Sequence, residues 1–143
     1  MLSYAEISKE CLRIAKKLHG DQRRRGGEPY INHCIRVGES FPEDSICRCI
    51  GYLHDIYEDT DVDEREFSAI GDSFFVTVIR PLVLKLTHCK GDSYSEYIHK
   101  LMQGPSGGVA KQVKVADIAD NLTGSPTPRQ IEKYRKALIQ LVS

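Results

Sequence analysis

At 143 residues, with twenty Lys and Arg balanced by twenty Asp and Glu, the chain has the length of a single domain (residues 1–143) and can bury a core without disulfides. A neutral chain has no general attraction to nucleic acid or to an anionic membrane, and no apolar run approaches the ~18 residues of a spanning helix. Met1-Leu2-Ser3-Tyr4-Ala5-Glu6 lacks the charged-then-apolar order of a signal peptide.

The five cysteines, Cys11, Cys34, Cys47, Cys49 and Cys89, are odd in number and contain no CxxC pair. That fits neither a disulfide framework nor a zinc knuckle. They read as reduced thiols in or near a core, which predicts a cytoplasmic protein in which the Asn121-Leu122-Thr123 sequon has no meaning.

Taken in order, Ser3-Tyr4-Ala5-Glu6 has capping-box form, and Ile7, Cys11, Ile14, Ala15 and Leu18 keep helical period, predicting a helix over 4–19. A basic, glycine-rich loop follows, Asp21 to Pro29. Its run Arg23-Arg24-Arg25 reads either as a solvated surface or as a site for phosphate or for stacking on a base. A short helix is predicted over 31–39, carrying the lone His33, and Pro42-Glu43-Asp44 opens a central helix to about residue 57.

Asp61-Val62-Asp63 is a turn and Asp63-x-x-Glu66 predicts a short helix over 64–70. Phe74, Phe75, Val78, Ile79, Leu82 and Leu86 give a further helix that Pro81 should kink or split; the β-branched run around Val76 to Ile79 leaves a strand as the alternative.

Ser93-x-x-Glu96 caps a helix to about Gln103, in which Tyr94, Tyr97, Ile98 and Leu101 form an inward stripe. Packing or surface roles are therefore expected for both tyrosines and for His88. After the connector Gly104-Pro105-Ser106-Gly107-Gly108, the helix from Val109 to Leu122 packs Val113, Ala116, Ala119 and Leu122 inward. On it, Lys114, Asp117 and Asn121 share a face, with Asp120 three residues past Asp117. Thr127-Pro128-Arg129-Gln130 caps a last helix holding Ile131, Tyr134, Leu138 and Leu141. The sum is an all-α chain of six to eight helices without a sheet.

The chemistry concentrates in His54-Asp55-Ile56-Tyr57-Glu58-Asp59-Thr60. On one continuous helix these four polar side chains share a sector, while Ile46, Ile50, Leu53 and Tyr57 form the apolar back. A solvated acidic helix end is the plain alternative. Acids are disfavoured late in a helix, however, and a cation would stabilise such a cluster beside a histidine.

With His33 and Asp117, the pattern resembles the HD superfamily of metal-dependent phosphohydrolases, all-α bundles with one His, then a His-Asp pair, then a later Asp. It resembles more narrowly the RelA/SpoT-type hydrolase domain and its small stand-alone relatives, which remove the 3′-pyrophosphate of (p)ppGpp. The matching blocks are Gln22-x-Arg24-Arg25-x-Gly27-Glu28-Pro29-Tyr30-Ile31-x-His33, then Leu53-His54-Asp55-x-x-Glu58-Asp59-Thr60, then Val113-Lys114-x-Ala116-Asp117-x-x-x-Asn121-Leu122. The resemblance implies a metal held by His33, His54, Asp55 and Asp117. It implies water activation by Glu58 and Asp59, and a nucleotide site that includes Arg24, Arg25, Lys114 and Asn121. The mixed N/O ligand set suits manganese, iron or zinc, and the resemblance favours manganese.

Cys34, Asp120 and Gly124 depart from the family pattern, and Asp120 and Gly124 are expected to fall on the nucleotide side. The implied partner is a small-molecule nucleotide, with neither nucleic acid nor membrane. A homo-oligomer is left open, as are an HD hydrolase for another nucleotide and a non-catalytic nucleotide-binding domain.

Overall fold

Local signals set the helix starts. In the computed structural model, which describes residues 2–143, the Ser3 hydroxyl accepts from the Glu6 N–H while the Glu6 carboxylate returns to the Ser3 N–H, and Thr127 and Gln130 do the same. Ser93 caps Glu96 in one direction only. Eight helices result: α1 (Tyr4–His19), α2 (Tyr30–Glu39), α3 (Ile46–Leu53), α4 (Ile56–Asp59), α5 (Asp72–Lys85), α6 (Tyr94–Leu101), α7 (Gly107–Thr123) and α8 (Pro128–Val142). A 3₁₀ helix, Glu64–Ile70, precedes α5. The described residues contain no strand, which removes the alternative at Val76 to Ile79. An isolated bridge between Arg23 and Pro29 closes the basic loop. Among the described residues no single helix is long and apolar enough to cross a membrane.

Two expectations need correction. The central helix starts later and ends earlier than its sequence suggests. Pro42 to Asp44 form a turn closed by the Ser45 N–H on the Pro42 carbonyl at 3.0 Å, and Ser45 is the cap of α3. The helix then breaks at His54-Asp55 before α4 begins. The His54 ring Nδ1–H donates to the Gly51 carbonyl at 2.6 Å. That carbonyl is the acceptor a continuing helix would offer to the Asp55 N–H, so side chain and backbone compete for it. In α5 the chain runs through Pro81 unsplit. The ring removes the N–H that would bond Thr77, and the turn over Phe75–Ile79 widens so that the Arg80 N–H reaches the Phe75 carbonyl.

α3 lies at the centre, packed on α1, α2 and α7. Ile14, Ile50, Leu53, Ile56, Ile98, Leu101 and Ile118 are wholly enclosed. Cys11, Cys34, Cys47 and Cys49 are buried free thiols and Cys89 is exposed. The inward face of α7 is rotated from the expected one: Ala110, Val113, Lys114, Asp117 and Ile118 are buried and Ala119 is exposed. On α8 Ala137 and Leu141 are buried, while Ile131 is 47% exposed.

A glycine pair sets the spacing of the two helices that carry the histidines. A Cβ added at Gly51 would lie 2.7 Å from the Cα of Gly38, and one at Gly38 would meet the Tyr52 ring. α2 and α3 therefore touch backbone to backbone, and neither can accept a methyl group without moving apart. Gly51→Ala is expected to destabilise the fold by about 1–3 kcal/mol, the usual cost of overpacking against immobile backbone. A thermal melt reads this, and an unchanged midpoint would contradict the close contact.

Candidate metal centre

Four side chains from separate parts of the sequence meet at one point. One ligand-type atom each from His33, His54, Asp55 and Asp117 lies within 4.8 Å of all the others. The two ring Nε2 atoms are 3.2 Å apart. His33 Nε2 is 3.0 Å from Asp117 Oδ1, and His54 Nε2 is 2.9 Å from Asp55 Oδ2.

The outer atoms of the rings fix their protonation. His54 Nδ1 faces the Gly51 carbonyl and His33 Nδ1 faces the Asp120 carboxylate at 2.7 Å. Both partners only accept, so both Nδ1 atoms carry hydrogen, and each Nε2 points inward, where it offers a lone pair when the ring is neutral. Two imidazole Nε2 atoms and two carboxylate oxygens thus face each other, an arrangement that calls for positive charge, from a proton on an imidazole or from a metal ion. Burial works to depress the His54 pKa, but the Asp55 and Asp117 carboxylates outweigh it and hold the imidazole well above its ordinary value. Burial likewise favours neutral carboxyls, yet His54 holds Asp55 below the ordinary value, and Lys114 with His54 holds Asp117 well below it. The donor set fits a divalent metal ion in composition, spacing and charge.

Each of the four is braced from behind. The Tyr30 hydroxyl donates to Asp55 Oδ2, and the Tyr30 ring packs beside His19 with centroids 5.0 Å apart. The Lys114 ammonium donates to Asp117 Oδ2 at 2.9 Å, and the Asn121 amide to Asp117 Oδ1 at 3.2 Å. Asp120 holds His33 and is itself held by Arg36, whose guanidinium also binds Glu28. Asp120, whose departure from the family pattern was expected to fall on the nucleotide side, therefore braces the four-residue cluster as well as meeting Arg24.

Glu58 and Asp59 follow on α4 and line the same cavity of about 180 Å³. Burial raises the pKa of both carboxyls; at Glu58 the His88 N–H, which donates to it, opposes that rise. Arg24 donates to Asn121 Oδ1 at 2.9 Å and lies 3.4 Å from Asp120 Oδ2, whereas Arg25 is exposed. Both arginines line an adjoining cavity with Asn121, Gly124, Gln130 and Tyr134.

Sequence reasoning missed part of the wall. His88, Tyr94 and Tyr97, expected to pack or face solvent, line the cavity, as do Lys133 and Tyr134 of α8. Tyr97 does both, since it is buried and its hydroxyl donates to the Leu86 carbonyl. A usable signal for Lys133 is its place four residues before the buried Ala137, in phase with the inward stripe of α8.

No family model matches the chain. Curated relatives do. A probable guanosine-3′,5′-bis(diphosphate) 3′-pyrophosphohydrolase of Mycoplasma pneumoniae is 40% identical over 87 residues, 59% of this chain and 11% of the relative. One of Synechocystis is 30% identical over 114 residues, 76% of this chain and 15% of the relative. The guanosine-3′,5′-bis(diphosphate) 3′-pyrophosphohydrolase of Borreliella burgdorferi is 38% identical over 73 residues, 49% of this chain and 11% of the relative. The chain is a homologue of the RelA/SpoT-type HD proteins. It spans between 11% and 15% of the length of these three.

In this RelA/SpoT-type homologue, the brace behind His33 gives a direct test. Asp120→Ala is expected to weaken divalent-metal affinity by about 10–100-fold, as loss of a carboxylate behind a ligating imidazole does. Metal titration against the parent protein measures it. Unchanged affinity would show that Asp120 does not orient the ring.

Proposed function

We propose that this chain is a metal-dependent phosphohydrolase that removes the 3′-pyrophosphate of (p)ppGpp, giving GDP or GTP. The observation that carries the reading is the inward-facing set of two imidazole Nε2 atoms and two carboxylates, with two further carboxylates, Glu58 and Asp59, on the wall of the same cavity. His33, His54, Asp55 and Asp117 are the residues that would hold the ion, and manganese is the ion proposed. A divalent ion bound there supplies Lewis acidity toward a phosphoryl oxygen and makes water a competent nucleophile near neutral pH.

The chain's own groups supply the rest. Glu58, fixed by the His88 N–H, takes the proton of the attacking water, and Asp59 orients that water. The raised pKa of Glu58 suits a base that must accept a proton and later release it. Lys114 neutralises Asp117 and brings positive charge to the cavity wall. Arg24 and Arg25 receive the nucleoside in the adjoining cavity, and Asn121, common to both cavities, stands between nucleoside and phosphates. The P–O bond between the ribose 3′ oxygen and the first phosphorus breaks, the oxygen of water goes to the departing pyrophosphate, and the proton taken by Glu58 is returned to the 3′ oxygen.

Release of pyrophosphate from ppGpp by the purified protein with manganese, beside the same protein after chelation, tests the reading. Metal-dependent conversion to GDP is expected. Bound metal without conversion would move the substrate to another phosphorylated nucleotide, which a nucleotide panel identifies. Asp55→Ala and Asp117→Ala are expected to lose metal and turnover together. Glu58→Ala is expected to keep the metal and lose about 10²–10⁴-fold in kcat, the usual share of a general base. Near-normal turnover in that variant would remove Glu58 from the mechanism.

A further inference from the structure

The cavity beside the four-residue cluster has a cationic end. Most polar groups on its wall are committed. Lys114 is paired with Asp117, the Tyr97 hydroxyl with the Leu86 carbonyl, the Tyr30 hydroxyl with Asp55, and the His88 ring Nε2 with the Asp92 carbonyl. Among the groups left over are one cation and one buried hydroxyl. The Lys133 ammonium has no carboxylate within ion-pair distance among the described residues. The Tyr94 hydroxyl is the one buried side-chain polar atom among them without a hydrogen-bond partner.

These two are neighbours. Lys133 Nζ sits 4.2 Å from the centre of the Tyr94 ring, and Lys114 Nζ lies 5.7 Å from the same centre. The cations therefore form a sequence leading away from the cluster: Lys114 against Asp117, then Tyr94, then Lys133. Burial and the neighbouring Lys114 both lower the Lys133 pKa, so in the free protein this ammonium is held against its own electrostatics. The remaining charge on the wall is mainly negative, from Asp55, Glu58, Asp59 and Asp117. A polyanion entering this cavity needs a cation that is not already spent on the protein.

We propose that Lys133, shelved on Tyr94, is the counter-charge for the second phosphoryl group of a diphosphate whose first phosphoryl group lies at the His33–His54–Asp55–Asp117 cluster, and that it gives the site its preference for diphosphate over monophosphate. This rests on reading the cavity as the phosphate site. A single phosphate at the cluster would be served by the ion that the four residues would hold. A second phosphoryl group extends past Lys114 toward the free ammonium, with the Tyr94 hydroxyl as a further donor.

The test is isothermal titration of manganese-prepared protein with inorganic pyrophosphate and, separately, inorganic phosphate, with metal content measured for each variant. The parent protein is expected to prefer pyrophosphate. Lys133→Gln should lose about tenfold in pyrophosphate affinity, the scale of one charge-assisted hydrogen bond, and keep its metal and its phosphate affinity. Tyr94→Phe should lose a smaller part of the same preference. Lys136→Gln, on the same helix but 70% exposed at its side chain, should change neither probe. Equal losses for both probes, or none, would overturn the assignment, as would a metal-loaded parent that does not prefer pyrophosphate. The outcome is separable from catalysis. A Lys133-dependent preference in a protein that leaves ppGpp intact removes the (p)ppGpp reading and keeps the subsite, whereas turnover with an unchanged preference in Lys133→Gln does the reverse.

Discussion

Four electron-pair donors held at one enclosed point is the constraint on which the rest of this structure turns. Burying carboxylates costs several kcal/mol each unless charge and hydrogen bonds compensate, and here two are buried against two imidazoles whose remaining nitrogens face inward. The arrangement survives because each member is gripped on its outer side: His54 by the Gly51 carbonyl, His33 by Asp120, Asp55 by Tyr30, Asp117 by Lys114. The grips come from α2, α3 and α7, so the cluster exists only if those helices hold their spacing. The Gly38–Gly51 contact fixes the distance between the first two. Fold and site are thus stabilised by the same close approach, and loosening it would disturb both.

The helices were legible where local chemistry decides them. Ser3, Ser93 and Thr127 begin helices as their caps require, while the four ligand-type residues were legible as a set only through their resemblance to the HD pattern. The break at His54-Asp55 was not legible, because a helix-period pattern continues across it while a side chain competes for the backbone acceptor. The phase of α7 was misread for a related reason. Apolar residues were assumed to point inward, whereas Lys114 and Asp117 take inward positions and leave Ala119 outside. The tyrosine-rich wall was hidden in the same way, since Tyr94 and Tyr97 have core spacing and Tyr97 is in fact buried as well as facing the cavity.

Asp120 shows how one departure from a family pattern reorganises its surroundings. It supplies the acceptor that His33 Nδ1 requires, and as a carboxylate it needs cations of its own. Arg36 provides one, with Nε 2.6 Å from Oδ1, and Arg24 another, at 3.4 Å from Oδ2. Arg36 in turn holds Glu28 on the loop that carries Arg24 and Arg25. A residue on α7 thereby joins a helix bearing a ligand-type histidine to the loop at the adjoining cavity.

Asn121 closes that circuit. Its carbonyl oxygen accepts from Arg24 while its amide donates to Asp117 Oδ1. The atom that Asn121 touches on Asp117 is the same one that lies 3.0 Å from His33 Nε2. One amide thus joins the Arg24 guanidinium at the loop cavity to a carboxylate of the cluster. The loop side and the cluster are linked by two short routes, Asn121 to Asp117 and Asp120 to His33. In such a site, recognition of one end of a ligand and alignment of the other are consequences of the same few hydrogen bonds.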